Sequence, residues 1–239
     1  MHLGVALLVA ASAAPQPPPL KNTTGAREEV RIVVGGSLQS TSPILEYYRG
    51  FPPGGVKYIT AAGTNPVGDG ASIGNFFANA GIEAEWIPVH APNCEETAFD
   101  PEIVAMVEAA DAIYMSGGQA GRVQSCLYGD YSQSGRDPAP GESTPLLDAL
   151  RAKTIIGGSS AGAMNQPVSE ILITGHSSES YGAVAAGSVF LRSGGNAFLD
   201  TAELVDVHRT DLATDIPVNL PLQKEHQQHG NYDSIRGSV

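Results

Sequence analysis

Apolar residues along this chain gather into short, nearly continuous runs separated by mixed or polar stretches. The runs are Val30–Val34, Val56–Ala61, Ala84–Val89, Ala112–Met115 and Thr154–Ile156. They are nearly continuous in apolar residues rather than alternating, which predicts strands covered on both faces, as in a parallel sheet. The stretches between them, Pro43–Arg49, Ala71–Ala80, Pro101–Ala110 and Pro145–Ala152, have helical character. Strand and helix in alternation predict an α/β fold, a doubly wound and mostly parallel sheet flanked by helices. Such sheets hold ligands at the carboxyl ends of their strands. Glycine pairs at Gly35-Gly36, Gly117-Gly118 and Gly157-Gly158 are expected to be the turns there. Tyr128–Ser143, polar and rich in Gly and Pro, predicts a surface loop ahead of the last crossover helix.

Domain boundaries follow from changes in composition. Residues 1–28 read as a leader, 29–215 as one α/β domain, and 216–239 as an irregular tail. The apolar run Leu3–Ala11, the small residues Ala11-Ser12-Ala13 and the following prolines predict a secretory signal cleaved after Ala13. The run is too short to span a bilayer. A secreted, extracellular protein is therefore expected. In an oxidising compartment Cys94 and Cys126 allow a single disulfide. Asn22-Thr23-Thr24 is a glycosylation sequon that matters only on a eukaryotic secretory route.

Composition narrows the function classes. With 239 residues, 42% hydrophobic and 16% charged, the chain has the balance of one globular domain. Its 13 basic and 25 acidic residues leave a net charge of −12 without any Lys/Arg run, which argues against nucleic-acid binding. Two unclustered cysteines make no metal site, and no cofactor is expected.

The chemistry centres on Gly158-Ser159-Ser160-Ala161-Gly162, a G-x-S-x-G pattern between a strand-like run and a helix start. A serine held on a tight strand-to-helix turn needs small neighbours two residues away, and Ser160 meets that requirement better than Ser159. The N–H groups and dipole at the helix start suit a developing oxyanion. The bland alternative is a close-packed turn with no chemistry. A serine nucleophile needs a base and an orienter. His208, closing the apolar run of "AELVDVH", is the first candidate base, with His176 second. His226 and His229 lie in a polar tail and read as solvated rather than as metal ligands. Glu179 is the candidate orienter, with Glu170 and Asp200 as rivals. Asp206, two residues before His208 on one strand face, is expected to face substrate or neighbouring loops.

Three motifs, "GGSSAGAM" at Gly157–Met164, "YMSGGQ" at Tyr114–Gln119 and "LVDVH" at Leu204–His208, together resemble the cyanophycinases and aspartyl dipeptidases. These are serine peptidases with a class I glutamine-amidotransferase-like sheet. The resemblance runs from about Val30 to His208 and implies a cofactor-free hydrolase acting on aspartyl peptide bonds through an acyl-enzyme. It implies Ser160 as nucleophile, His208 as base, Glu179 as orienter, and Gly118 and Ala161 as backbone oxyanion donors. Gln119 and Asp206 would then contact substrate. The expected partner is a peptide or polypeptide substrate, and a homodimer is compatible with the reading. The chain departs from the family after His208, where "RTDLATDIPVN" stands in place of a basic, carboxylate-binding stretch. The tail "LPLQKEHQQHGNYDSIRGSV" likewise lacks the family's closing segment and shows little periodicity.

Two other classes compete. An α/β-hydrolase esterase shares G-x-S-x-G, but its usual His-Gly-Gly-Gly oxyanion motif is absent. An inactive secreted relative acting as a binding protein would explain the altered segments. A glutamine amidotransferase would need cysteine where Ser160 stands.

Overall fold

The computed structural model of the chain describes residues 5–8, 30–34, 38–129, 143–167, 170–173, 189–193, 196, 198, 222–225 and 233–237. Six strands form an all-parallel sheet. They are β1 (Val5–Leu8), β2 (Val30–Val34), β3 (Val56–Ile59), β4 (Ala84–Ile87), β5 (Ala112–Met115) and β6 (Ile155–Ser159), in the spatial order β1-β2-β6-β5-β3-β4. The doubly wound α/β reading holds. Every residue of β3, β5 and β6 is buried, as their largely apolar runs predict, whereas the edge strand β4 is half open.

Alternate residues of each strand enter two separate cores. Val56, Tyr58, Ala112, Tyr114 and Ile155 face a 3₁₀ turn (Pro43–Tyr47) and α1 (Pro66–Asn79). Ile59, Ile113, Met115 and Ile156 face α3 (Pro101–Ala109), α4 (Ala120–Tyr128) and α5 (Pro145–Arg151). The connections β2–β3 and β3–β4 therefore run over one face and β4–β5 and β5–β6 over the other, as right-handed crossovers require. Adjacent strands β3 and β5 send their following loops to opposite faces, which opens a crevice between those loops.

Local sequence sets where the helices begin. α1, α3 and α5 each start on a proline behind a side-chain cap: Asn65 accepts from the Gly68 N–H at 3.3 Å, Asp100 from Glu102 at 2.8 Å and Thr144 from Leu147 at 3.1 Å. α1 begins at Pro66, five residues ahead of the expected start at Ala71, because Gly68 and Gly70 hide the helical pattern there. Pro43–Arg49, expected to have helical character, forms only the short 3₁₀ turn. Gly157 and Gly158 lie inside β6 rather than in the turn after it, since the strand continues to Ser159. Gly35-Gly36 and residues 130–142 of the expected loop lie outside the described residues.

Beyond the elbow, β7 (Glu170–Ile173), β8 (Val189–Ser193), β9 (Leu222–Glu225) and β10 (Asp233–Gly237) make an antiparallel sheet in the order β7-β8-β10-β9. Two of these strands come from the tail read as irregular. Their order is supplied by pairing across the sheet, which leaves no period in a polar sequence. Val5–Leu8, read as part of a leader, likewise runs parallel to β2 as an edge strand. Among the described residues no helix is long and apolar enough to cross a membrane.

Cys94 and Cys126 are bonded as a disulfide, with Cα atoms 4.4 Å apart, joining α2 (Cys94–Thr97) to α4. It closes a loop of sequence separation 32, for which chain entropy gives about 3–4 kcal/mol of stabilisation. Replacing both cysteines with alanine is expected to lower the unfolding free energy by roughly that amount in denaturant titrations. Coincident unfolding curves for parent and variant would contradict it.

The aromatic core makes a second prediction. Tyr48, Tyr58, Phe77 and Tyr114 pack with centroids 5.4–6.2 Å apart. Burial pushes the Tyr48 phenol well above its ordinary range, and the neighbouring Tyr114 adds to this. Burial also raises Tyr114, against an opposing effect of its hydrogen bond with Ser159. Because the folded state favours the neutral phenols, their stabilisation is complete below the unfolded value of about 10 and is lost as pH climbs above it. Two of the eight tyrosines should thus ionise only together with alkaline unfolding. Phenolate absorbance that develops fully while the fold persists would refute this.

Candidate functional site

The site grows from the end of β6. Ser159, paired with Val34 of β2, ends the strand, and its buried hydroxyl accepts a hydrogen bond from Tyr114 Oη at 2.7 Å. Ser160 follows, half-exposed, with its N–H bonded to Val34 O at 3.0 Å. It then caps α6 (Ala161–Met164), its carbonyl accepting from Ala163 and Met164, both at 2.9 Å. The two serines thus have different surroundings. Ser159 is a buried anchor, and Ser160 stands at the tip of the turn.

Ser160 has φ 49° and ψ −117°, and among the described residues no other non-glycine residue has a positive φ. A side-chain-bearing residue in that region costs on the order of 1–3 kcal/mol, so the surrounding structure must impose it. The imposition is steric. A Cβ on Gly158 would lie 2.5 Å from Gly162 C and 2.9 Å from Ala163 N, so α6 packs back onto the strand that leads into it. Gly162 is in turn pressed against the Met115 carbonyl of β5. These contacts meet the small-neighbour requirement of a nucleophile elbow.

The turn after β5 abuts the serine. A Cβ on Gly117 would come 3.0 Å from Ser160 Cβ and 3.5 Å from its Oγ. Gly118 is exposed, with φ 143°, and sits so close to the Ala62 carbonyl that no side chain fits. The adjacent Gln119 is half-exposed and bonds Ala62 O through its backbone N–H at 3.0 Å. Ala161 is buried at the first position of α6, where an N–H has no acceptor within the helix. Ser160, Ala161, Gly118 and Gln119 therefore come together at the carboxyl ends of β5 and β6. Glu179, His208 and Asp206 lie outside the described residues, as do the rivals His176 and Asp200 and the tail histidines His226 and His229. Glu170 opens β7.

His90, unweighed in the sequence reading because it precedes the serine, follows β4 and stacks on Trp86 at 6.3 Å. Burial lowers its pKa. Three strand spacings separate β4 from β6, about 14 Å, which is too far for direct proton exchange with Ser160.

A buried polar lattice holds α6 from behind. Asn165 Nδ2 donates to Ala120 O at 3.0 Å and Ala161 O at 2.8 Å, and Gln166 Nε2 donates to Ile32 O at 3.0 Å. Asn196 Nδ2 bonds Asn165 O at 2.7 Å, while Arg151 and Arg31 clasp the carbonyls of Asn196 and Phe198 at 2.9 and 2.7 Å. Sequence reasoning missed this lattice and the Tyr114–Ser159 bond. The available signals were a phenol inside the β5 run and the polar pair Asn165-Gln166 straight after an apolar helix.

No protein-family model and no curated protein matches the chain. Among solved structures, a peptidase from an acI-B1 Actinobacterium is similar over 80% of this chain and 77% of its own, with 17% identity and a TM-score of 0.47. A protein titled a putative peptidase E from Listeria monocytogenes EGD-e is similar over 58% of this chain, with 17% identity and a TM-score of 0.38. The match spans 62% of that second chain, less than two thirds of its length.

The packing of the elbow is testable. Gly158→Ala is expected to destabilise the fold by about 2 kcal/mol or more, because the added methyl meets backbone rather than a movable side chain. Denaturant unfolding with an unchanged midpoint would show that α6 can shift and that the close approach is dispensable.

Proposed function

We propose that the protein is a secreted, cofactor-free serine hydrolase that cleaves peptide bonds, with aspartyl peptides as its substrates. The observation that carries this reading is Ser160 itself, half-exposed on a strained strand-to-helix turn and packed against the Gly117-Gly118 turn. Ser160 Oγ attacks the peptide carbonyl carbon. His208 takes the hydroxyl proton and returns it to the leaving amine, and Glu179 orients the imidazole. The resulting acyl-enzyme is then hydrolysed by water activated by the same histidine. The N–H groups of Gly118 and Ala161 stabilise the tetrahedral oxyanion, each such donor being worth on the order of 3 kcal/mol of barrier. The resemblance in the three sequence motifs supports aspartyl peptides as the substrate class, on a class I glutamine-amidotransferase-like sheet. The disulfide supports an oxidising, extracellular setting.

A fluorophosphonate probe is expected to label the parent and the Ser159→Ala variant, but not Ser160→Ala. Release of aspartyl-arginine dipeptide from cyanophycin should fall by on the order of 10⁴-fold or more in Ser160→Ala. The rate should also decline below about pH 6–7 as the base is protonated. Absent labelling of folded parent protein would favour the inactive, binding relative, which the altered segment after His208 also suits.

A further inference from the structure

The crevice between the loops after β3 and β5 holds a cation that the elbow chemistry leaves unused. Arg122 lies one helical turn beyond the Gly117-Gly118-Gln119 turn, and its N–H bonds Gln119 O at 3.1 Å. Its side chain reaches across the crevice, where Nη1 donates to Gly63 O at 3.0 Å. The Nε atom is buried with no hydrogen-bond partner, and the side chain as a whole is half-buried. The ion pairs among the described residues are Arg49–Glu46, Lys57–Glu85 and Arg151–Asp148, and none involves Arg122. The Asp69 carboxylate occupies the space that a Cβ on the same Gly63 would fill, and among the described residues it makes no ion pair with Arg122.

A guanidinium that is partly removed from water is favourable when a planar anion meets its fork of donors, and here one carbonyl is its only partner among the described residues. Its position matters equally. Adjacent strands with oppositely directed loops form the crevice where α/β sheets take ligands. β5 is next to β6 and β3 is the following strand, so the two loops that Arg122 bridges leave strands about 5 and 10 Å across the sheet from β6. That is the reach of a substrate residue flanking the reacting carbonyl.

We propose that Arg122 binds a carboxylate of the ligand in this crevice, as a specificity-determining residue beside the elbow. The proposal rests on reading the crevice as part of the active site. The carboxylate belongs either to an acidic side chain or to a free peptide terminus, and the two are chemically alike at the guanidinium.

Calorimetric titration tests it without requiring turnover. The probes are N-acetyl-aspartyl amide for a side-chain carboxylate, N-acetylglycine for a terminal one, and N-acetyl-asparaginyl amide as the neutral control. The parent should bind at least one carboxylate probe and not the neutral one. Arg122→Gln should weaken that binding by about tenfold or more, with partial recovery in Arg122→Lys. Asp69→Asn should tighten it, because it removes a carboxylate charge beside Gly63, the residue whose carbonyl Arg122 bonds. Equal affinity in the parent and Arg122→Gln, or no binding of either carboxylate by folded parent protein, overturns the proposal. Should Arg122→Gln fail to fold in a thermal melt, Asp69→Asn decides, and an unchanged affinity there overturns it. Fluorophosphonate labelling separates this from the hydrolase reading. Labelling without Arg122-dependent binding sinks only the carboxylate site, and Arg122-dependent binding without labelling sinks only the nucleophile.

Discussion

The architecture of the site depends on one steric constraint, the approach of α6 to the strands before and beside it. Gly158 meets Gly162 backbone to backbone, and Gly162 meets the Met115 carbonyl of β5, so the helix starts at once where the strand stops. The single residue between them must reverse the chain, and it does so at φ 49°. Ser160 is therefore lifted to the tip of the turn because everything around it is small. The same closeness brings the Gly117-Gly118 turn against the serine, and so Ser160 and its surroundings come from neighbouring strands rather than from one contiguous segment.

Holding a strained residue requires rigidity on both sides. In front, Tyr114 reaches through the aromatic core to Ser159, and fixes the residue preceding the turn. Behind, Asn165, Gln166 and Asn196 satisfy backbone carbonyls of β2, α4 and α6, and two arginines draw the 196–198 segment onto them. These are buried polar groups in a low-dielectric interior, where a satisfied hydrogen bond is geometrically exacting and an unsatisfied one is costly. This group of buried polar side chains braces the elbow, while the apolar cores on the two sheet faces carry the general stability.

Acidic net charge sets the electrostatic background. With 25 acidic and 13 basic residues the chain repels anions at long range, so any recognition of a carboxylate must be local. A half-buried guanidinium at the switch-point crevice suits that need, since screening is weaker there than at the surface. It also lies apart in sequence from the segment after His208, where two aspartates stand.

The sheet was legible because burial on both faces writes a nearly continuous apolar run, which is local information. All five runs from Val30 to Ile156 became parallel strands, the edge strand β4 included, and the proline-led helices began where proline and a capping residue coincide. The elbow was legible for a similar reason, since steric smallness two residues either side of Ser160 is readable in the glycines themselves. What the linear chain could not disclose depends on neighbours remote in sequence. That β6 runs on through Gly157 and Gly158, and that the tail pairs into strands, follow from partners on other strands. That Ser159 is an anchor follows from Tyr114, 45 residues away, and that Arg122 spans a crevice follows from Gly63, 59 residues away. Periodicity and residue size determined the fold class and the candidate nucleophile. Only tertiary contact decided which serine is held and which loops the Arg122 side chain bridges, because hydrogen-bond partners are chosen by proximity in space.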